Sequence, residues 1–384
     1  MRNWLLPEYI EDVLPAEAAQ IESLRRSLLD LLDVHGYQLV MPPMLEYLES
    51  LITGVGHDLD LATFKVVDQL TGRLMGVRAD ITPQAARIDA HMLNNQGVTR
   101  LCYAGSVLRT NPDGLAQTRQ PMQLGAELFG HAKIEADIEI QRLMVKTLQA
   151  AGVKDLQIDF SHVGIFDSLM SKVQASDALK QSIYEALQKK DQTEIRALCH
   201  DFDAASSQAL CRLTELNGDA SILAIAAKDL PKTKEIAQAL NDLQQVAQEL
   251  ADLGVGLSFD LAELRGYHYH SGMVFAAYAQ GCSGPLAFGG RYDEVGQSFG
   301  RARAATGFSL DLRGLVKALP AIIMKKGILA PYGKDPSLVS KINSLRASGE
   351  KVIQVLPGHD AHNHELGCDK KLENKEGSWQ VVAI

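Results

Sequence analysis

Cysteine is scarce in this chain of 384 residues, and its few thiols are scattered. Five are present, which is an odd number, and no two of them form a CxxC pair. This excludes a disulfide framework and a ribbon-type zinc site as organising features of the fold. The thiols belong to Cys102, Cys199, Cys211, Cys282 and Cys368.

Long apolar runs are missing as well. No segment approaches the roughly 18 apolar residues that a membrane span requires. The opening stretch MRNWLLPEYIEDV carries acidic residues where a secretion signal would continue with apolar ones. The hydrophobic content of 46% and the charged content of 22% are ordinary for a globular protein. We therefore expect a cytoplasmic protein with no membrane partner.

Basic charge is in deficit, because 47 acidic residues outweigh 38 lysines and arginines and the formal net charge is −9. Nucleic-acid-binding proteins usually concentrate basic residues on one face. The best local candidates are Arg301 and Arg303, and two arginines in a loop are more typical of a solvated edge. The composition argues mildly against a nucleic-acid partner.

The pattern of apolar residues predicts both helices and strands. Residues 15–35 read as an amphipathic helix that Pro15 opens and Gly36 ends. Thr82 is placed to cap a second helix over residues 83–94. A strand is expected over 37–46, running into a double proline that can only sit at a strand end or edge. Further strands are expected in a hairpin over 64–79, near 99–109 and near 119–129.

The second half of the chain changes character twice. Residues 165–252 are rich in alanine, leucine and glutamine, which predicts a helical insertion. Strand-like sequence returns over 255–315, and a small α/β lobe should follow over 325–384. We expect two domains: a core over 1–320 that contains the insertion, and the C-terminal lobe.

Five motifs follow one another in a fixed order. They are the helix and strand that end at Pro43, the run CYAGSVLRTNPDGLAQTRQPMQLGAELFG from Cys102, RGYHYHSGMVF from Arg265, GGRYDEVG from Gly289, and ATGFSLDLRGL ending at Leu315. In this order they resemble motifs 1 and 2, the two histidine-specific motifs and motif 3 of histidyl-tRNA synthetase, a class II aminoacyl-tRNA synthetase. The resemblance covers about residues 5–160 and 255–315. It implies an α+β fold with a mostly antiparallel sheet flanked by helices.

The same resemblance implies a pocket for free histidine. Histidine presents an ammonium, a carboxylate and an imidazole, so its pocket needs an anion, a cation and polar partners for the ring. The implied lining is Asp80, Thr82 and Gln123 around the ammonium, Arg109 and Arg265 near the carboxylate, and Glu127, Tyr269 and His270 near the imidazole. Period-two alternation places Gln123 and Glu127 on one face of their strand. Taken alone, each of these two residues would be interpreted as an ordinary surface residue of an edge strand. Arg265 and the five motifs in order favour a place in the pocket instead.

The segments that should handle ATP depart from the family pattern. In motif 3, Gly314 stands where a nucleotide-gripping arginine is expected, and Asp311 replaces a glycine. Arg313 is no substitute, because a shift of one residue turns a helical side chain by about 100°. A carboxylate at 311 would also repel a triphosphate. Motif 2 keeps Arg109. It has Asn111 where the family has an acidic residue, and Pro112 and Gln117 at two positions that are usually arginine.

These departures resemble a class II branch that performs no transfer-RNA work, the regulatory subunits of ATP phosphoribosyltransferase. That resemblance implies a non-catalytic regulatory and activating subunit in the first step of histidine biosynthesis, with histidine feedback and no cofactor. The implied partners are the short catalytic subunit, L-histidine and a second copy bound through residues 15–43, all within a hetero-oligomer. Only 68 residues follow Val316, which is small for an anticodon-binding module, so no tRNA is expected.

Two enzymatic alternatives remain open at this point: a shortened histidyl-tRNA synthetase, and an amino-acid ligase that acts through an adenylate. Both would need ATP activation. The segment DLDLATF (58–64) reads as a loop leading into a strand and lacks the glycine-rich cradle of a phosphoribosyltransferase. The spacing of His359, His362, His364 and Cys368 hints at a metal. No second cluster accompanies it, so we expect no metal site.

Overall fold

The computed structural model describes residues 4–52, 57–112, 118–267, 269–322 and 324–384. It divides into two compact units, Met1–Pro320 and Ala321–Ile384. The predicted α+β class is confirmed, since helices flank a sheet that is largely antiparallel. Within these described ranges, no helix has the length and apolar character needed to cross a membrane.

The first unit is organised around a sheet with nine strands among the described residues, in the order β1-β5-β6-β12-β11-β10-β7-β9-β8. Among the described strands of this sheet, β1–β5 and β7–β9 are the parallel pairs. A separate small sheet has the order β2-β4-β3. The strands are β1 (Gln38–Leu39), β2 (Leu45–Tyr47), β3 (Phe64–Val67), β4 (Leu74–Val77), β5 (Thr99–Ser106), β6 (Met122–Phe129), β7 (Leu156–His162), β8 (Asn217–Gly218), β9 (Gly256–Asp260), β10 (Met273–Ala279), β11 (Ala287–Arg291) and β12 (Ala305–Asp311).

The helices of this unit flank the sheet and build the insertion. They are α1 (Pro15–Val34), α2 (Leu48–Leu51), α3 (His57–Ala62), α4 (Thr82–Arg87), α5 (Ile134–Ala150), α6 (Val163–Met170), α7 (Asp177–Gln188), α8 (Gln192–Leu198), α9 (Ala204–Leu213), α10 (Ser221–Asp229), α11 (Lys234–Glu249) and α12 (Leu312–Ala318). A π-helical turn, Ile88–Leu93, extends α4. Short 3₁₀ turns lie at Ala251–Leu253 and Val295–Phe299.

Helix α1 forms where the sequence predicts it. Pro15 occupies its first turn, and its apolar stripe buries Ile21, Leu28 and Leu32 in the main core. The chain leaves the helix at Gly36, whose φ of +85° is a left-handed conformation that glycine adopts without steric cost. The helical insertion is also present, because α6 to α11 fill the chain between β7 and β9 and share the same core.

Several local predictions are wrong. The expected strand over 37–46 is interrupted: Gln38–Leu39 pair with β5 and Leu45–Glu46 pair with β4, while Pro42 and Pro43 between them have no N–H to donate. Thr82 does not cap α4. It is the first helical residue, and its hydroxyl forms a hydrogen bond with the Tyr103 hydroxyl. The segment 58–64, expected to be a loop leading into a strand, is mostly helical. Helix α3 extends to Ala62, and β3 begins at Phe64.

Arg303 is the clearest departure from the predicted solvated edge. It is only 9% exposed, and its guanidinium donates to both carboxylate oxygens of Asp89, which lies in the π-helical turn, at 2.7 and 2.9 Å. It also donates to the carbonyl of Gly97. Arg301 contacts the side chain of Asn94. Arg301 and Arg303 therefore hold the loop before β12 against the segment after α4 by hydrogen bonds.

The second unit is a small α/β lobe. A sheet of order β14-β13-β15-β16 packs its apolar side on one helix, α13 (Pro336–Ala347). Its strands are β13 (Gly327–Ala330), β14 (Val352–Gln354), β15 (Cys368–Lys375) and β16 (Ser378–Ala383). Asp335 caps α13 by accepting from the Ser337 N–H at 3.0 Å. The histidine-rich segment forms a 3₁₀ turn, Asp360–Leu366.

Candidate functional site

The candidate site lies on the face of the large sheet toward which Gln123, Gly125 and Glu127 of β6 point. Strand pairing places two further residues on this face. Tyr103 of β5 lies opposite Gly125, and Gly307 of β12 lies opposite Glu127. Because side chains alternate along a strand, the site is assembled from every second residue of three neighbouring strands.

Glu127 is the buried centre of the site, with 1% of its surface exposed. The hydroxyl of Tyr103 donates to its Oε1 at 2.8 Å, and the hydroxyl of Tyr292 donates to its Oε2. Burial raises the pKa of Glu127 to about 8, and the charge of Asp80 adds to this, while the tyrosine hydroxyls lower the pKa. A carboxyl with this pKa carries a proton at neutral pH.

Two glycines make room for this cluster. A Cβ at Gly307 would lie 1.6 Å from Oε2 of Glu127. A Cβ at Gly125 would lie 2.4 Å from the hydroxyl oxygen of Tyr103. Both distances are far below van der Waals contact, so only glycine is compatible with the positions of the carboxyl and the phenol.

Asp80 and Gln123 form the second polar group of the site. The side-chain amide of Gln123 donates to Oδ1 of Asp80 at 2.8 Å and accepts from the Ile81 N–H at 2.9 Å. The same Oδ1 accepts from the Thr82 N–H at 2.9 Å, and the Thr82 hydroxyl lies 2.9 Å from that of Tyr103. A continuous polar chain therefore runs from the half-exposed Asp80 to the buried Glu127.

Tyr269 and His270 close the site from the loop before β10. The Tyr269 ring lies 5.1 Å from that of Tyr292 and 5.4 Å from that of His270, centroid to centroid. The Tyr269 hydroxyl is buried and finds no hydrogen-bond partner among the described residues. Burial lowers the pKa of His270 to about 4, and its Nδ1 lies 3.3 Å from the Arg291 carbonyl. His270 is therefore neutral, with the proton on Nδ1.

This part of the chain is a loop and not the strand expected for RGYHYHSGMVF, because β10 begins only at Met273. His268, which with His270 would alternate with Tyr267 and Tyr269 along such a strand, lies outside the described residues. Close packing explains the glycine at 266. Its φ is +67°, and a Cβ there would lie 2.9 Å from the His270 ring.

The two arginines predicted near a carboxylate lie in different places. Arg109 is half-buried beside the polar chain, and its Nε donates to the carbonyl of Ala79 at 3.2 Å. Arg265 is exposed, and its guanidinium lies 3.9 Å from the Glu263 carboxylate and close to Tyr278. Tyr278 lies on β10, which β11 and β12 separate from β6. The structure thus brings six predicted residues together with Arg109 at the margin, and it leaves Arg265 apart.

Sequence reasoning missed Tyr103 and Tyr292, which hold both oxygens of Glu127. Tyr292 lies in GGRYDEVG, directly after a residue that points to the opposite face. That residue, Arg291, donates to Oδ2 of Asp137 beneath the sheet at 2.6 Å. Tyr103 carried no motif signal, and only the pairing of β5 with β6 reveals it.

The region resembling motif 3 is occupied with structural contacts. The carboxylate of Asp311 accepts from the main-chain N–H groups of Met122, Arg313 and Gly314 at 2.9, 3.0 and 3.1 Å, and so caps α12. Burial raises the pKa of Asp311 against these donors. Arg313 is 5% exposed and donates to the Gln120 carbonyl at 3.1 Å. Its guanidinium is therefore held by contacts with Gln120 and Glu11.

Metal ligation has no support in the described part of the chain, where no group of three or more His, Cys, Asp or Glu side chains could hold an ion. His362 lies 3.2 Å from Glu365 in the exposed 3₁₀ turn of the second unit. Gln117 of the motif 2 loop falls outside the described residues.

Two family models match the chain. The histidyl-tRNA synthetase model matches residues 9–315. The model of the ATP phosphoribosyltransferase subunit HisZ C-terminal domain matches residues 325–382.

Curated relatives are similar over the whole length. The ATP phosphoribosyltransferase regulatory subunit of Methylobacillus flagellatus is 65% identical, over 100% of this chain and 99% of the relative. That of Nitrosospira multiformis is 53% identical over 100% and 98%.

Solved structures share the architecture. A crystal structure described as an ATP phosphoribosyltransferase regulatory subunit/histidyl-tRNA synthetase from Bacillus halodurans has a TM-score of 0.85 and 26% identity, covering 97% of this chain and 98% of that one. Histidyl-tRNA synthetase from Nostoc sp. PCC 7120 has a TM-score of 0.78 at 18% identity, over 100% and 97%, and this indicates a common fold only.

Proposed function

The chain belongs to the family of ATP phosphoribosyltransferase regulatory subunits, and we propose that it acts on the catalytic subunit of that transferase instead of performing chemistry itself. The observation that carries this proposal is a contrast between two regions: a buried polar cluster suited to an amino acid, and a region resembling motif 3 whose charged residues are engaged in structural contacts. Glu127 and its tyrosines are buried and ordered, whereas Asp311 and Arg313 are committed to capping and packing. Such a chain can sense a metabolite without activating it, in the cytoplasm where we place it.

We propose L-histidine as the ligand. Asp80, Thr82 and Gln123 would receive its ammonium, and Glu127, Tyr269 and His270 would surround its imidazole. The buried Tyr269 hydroxyl supports this arrangement, because a polar atom of the ligand would supply its missing hydrogen bond. The neutral His270 and a carboxyl that can give up its proton offer the ring one acceptor each.

The ligand carboxylate would lie toward Arg109, and Arg265 would join it after a change of rotamer. The ion pair of Arg265 with Glu263 is long and exposed, so releasing it should cost little. Arg265→Ala should therefore weaken histidine binding less than Arg109→Ala does. Equal losses would indicate that Arg265 already faces the ligand in the free protein.

Calorimetric titration with histidine tests the pocket. Glu127→Ala should weaken binding by roughly 2–5 kcal/mol, because the ring would lose a buried polar partner. Glu235→Ala, which changes an exposed glutamate in the first turn of α11, is the matched control and should bind as the parent does. Unchanged affinity in Glu127→Ala would reject the pocket assignment.

We propose that two copies associate through the region resembling motif 1. The residues that support this are exposed and apolar: Val34, Leu39, Met41 and Met44 are 79, 45, 80 and 46% exposed. Burying such side chains is the main driving force for association. Sedimentation should show a dimer at micromolar concentration, and Met41→Lys should shift it toward monomer. A monomeric parent with an intact fold would contradict this interface.

The regulatory role itself is tested by mixing this chain with the purified short catalytic subunit. We expect faster formation of phosphoribosyl-ATP and stronger inhibition by histidine, because allostery requires that the ligand and the partner state be coupled. Equal rates and equal histidine response with and without this chain would defeat the proposal. Histidine-dependent exchange of labelled pyrophosphate into ATP by this chain alone should be absent, and clear exchange would favour a synthetase or ligase.

A further inference from the structure

The segment before α1, which we call the N-terminal strap (residues 4–14), presents large apolar side chains to solvent. Monomeric globular proteins rarely expose such a concentration of apolar residues unless the surface binds something. The exposed fractions are 72% for Trp4, 68% for Leu5, 49% for Leu6, 54% for Tyr9 and 68% for Leu14.

The strap is held through the main chain of Tyr9 and the side chain of Glu11. The carbonyl of Tyr9 accepts from the Arg119 N–H at 2.9 Å and from the Thr118 hydroxyl at 3.2 Å. The carboxylate of Glu11 accepts from Lys317 at 2.8 Å and from Arg313 at 3.2 Å. The backbone is thus held while its apolar side chains point outward, so a partner would not have to order a free segment on binding.

We propose that the N-terminal strap is the docking element for the catalytic subunit, an inference that rests on the proposed function. The surface proposed above to bind a second copy, which we call the copy–copy interface, has its own exposed apolar residues, such as Leu39 and Met41, on other segments of the chain. A subunit that binds both a second copy and a different protein needs two such surfaces, and the strap supplies the second.

Charge narrows the chemistry of the partner surface. Between positions 4 and 14 the strap has three acidic residues and no basic one. Lys317 and Arg313 already satisfy Glu11, whereas Glu8 and Asp12 are exposed. The complementary surface is an apolar groove rimmed by lysine or arginine, because opposite charge at the rim speeds and orients association.

The same contacts connect the strap to the candidate site. Arg119, which holds the Tyr9 carbonyl, forms two hydrogen bonds with the main chain of Arg109, at 2.8 and 3.1 Å. Arg109 in turn donates to the carbonyl of Ala79, the residue before Asp80. A partner bound to the strap and a ligand bound at Asp80 would therefore contact the two ends of one short hydrogen-bond network. This network is a physical route by which the two binding events can be coupled.

The test measures binding of the purified catalytic subunit to the full chain and to the variant Leu5→Ser/Leu6→Ser. We expect binding to weaken about a hundredfold or more, because two leucines would no longer be buried. Ile225→Ser, at an apolar position of α10 that is 43% exposed, is the matched control and should bind as the parent does. Histidine titration and thermal unfolding should be unchanged in both variants, since none of the three residues belongs to the pocket or the core.

Undiminished binding of the double-serine variant would overturn the inference while leaving the regulatory function intact. Equal loss in Ile225→Ser would overturn it as well. A double-serine variant that becomes monomeric would assign the strap to the copy–copy interface instead. If the parent itself fails to bind the catalytic subunit, the proposed function fails, and this outcome differs from all the others.

The coupling has its own measurement. Arg119→Gln keeps the main-chain bond to the Tyr9 carbonyl and removes the guanidinium, which donates to the Arg109 carbonyl at 3.1 Å and to the Glu8 carbonyl at 3.5 Å. We expect the catalytic subunit to change the histidine affinity of the parent by a larger factor than that of the variant. An equal factor in both would show that the network through Arg109 does not carry the coupling.

Discussion

The raised pKa of Glu127 predicts a dependence of stability on pH that an isosteric variant can isolate. Burial moves the pKa of this carboxyl from 4.5 in the unfolded chain to about 8 in the fold. Between these two values the folded chain holds a proton that the unfolded chain has released. Stability must therefore fall as pH rises through this window, and it should level off above pH 8.

The magnitude follows from the size of the shift. Each pKa unit corresponds to about 1.36 kcal/mol, so a shift from 4.5 to about 8 sets an upper bound of about 5 kcal/mol on the destabilisation at high pH. Glu127→Gln has nearly the shape of the protonated acid and cannot ionise. The difference in unfolding free energy between this variant and the parent should be constant below pH 4.5, grow from there to pH 8, and then remain constant.

The assay is urea unfolding without ligand, followed by far-ultraviolet circular dichroism, at half-unit steps from pH 5 to 9. The difference between the two proteins cancels the titration of all other groups. Glu235→Gln, at an exposed position, is the control for the substitution itself. A flat difference for Glu127→Gln over the same range would show that this carboxyl ionises normally, and the argument for a protonated centre would be wrong.

Two further predictions concern stability. Gly307→Ala should cost about 1–3 kcal/mol or more in urea unfolding, because the methyl group would overlap a Glu127 oxygen. Gly97→Ala, which meets no atom within 4 Å, should change stability by about 0.5 kcal/mol or less, and equal effects would refute the packing argument. Asp89→Ala should lower the unfolding free energy by about 3–5 kcal/mol, because it leaves the buried Arg303 cation unpaired. The double variant Asp89→Leu/Arg303→Met should recover part of that loss in the same assay. No recovery would mean that the two side chains are not energetically coupled.

Local sequence rules were sufficient where one element decided the outcome. The stripe and the terminal glycine of α1 predicted its position, and alternation along β6 put Gln123 and Glu127 on one face. The rules failed where two elements compete. Residues 37–46 have strand character throughout, but Pro42 and Pro43 cannot complete a ladder, and the run divides between two sheets, with Gln38–Leu39 on β5 and Leu45–Glu46 on β4.

The candidate site shows a second limit of sequence reasoning. Glu127 can be recognised as a candidate, but its pKa depends on two hydroxyls from other segments of the chain. Tyr103 reaches it across the β5–β6 pairing and Tyr292 from the end of β11. Gly307 explains how the carboxyl fits, and its role follows only from its register opposite Glu127. Such relations are tertiary, and no spacing along the chain encodes them.

The structure also indicates why a single substitution should not restore ATP activation. A Cβ at Gly314 would lie 3.3 Å from Oδ2 of Asp311, so arginine fits there after a small adjustment. Its guanidinium would pair with that carboxylate, because Asp311 remains bound to the main chain at the start of α12. The positions resembling the motif 2 loop would still lack their charged residues, at Asn111 and Pro112.

Gly314→Arg should therefore fold with a stability within about 1 kcal/mol of the parent, since the position is exposed on α12. It should bind histidine normally and show no histidine-dependent pyrophosphate exchange, because one cation paired with Asp311 cannot grip a triphosphate. Exchange by this variant would mean that the arginine alone separates sensing from catalysis. Its absence would indicate that the loss is spread over two motifs, and that Asp311 and Arg313 now serve the fold instead of a nucleotide.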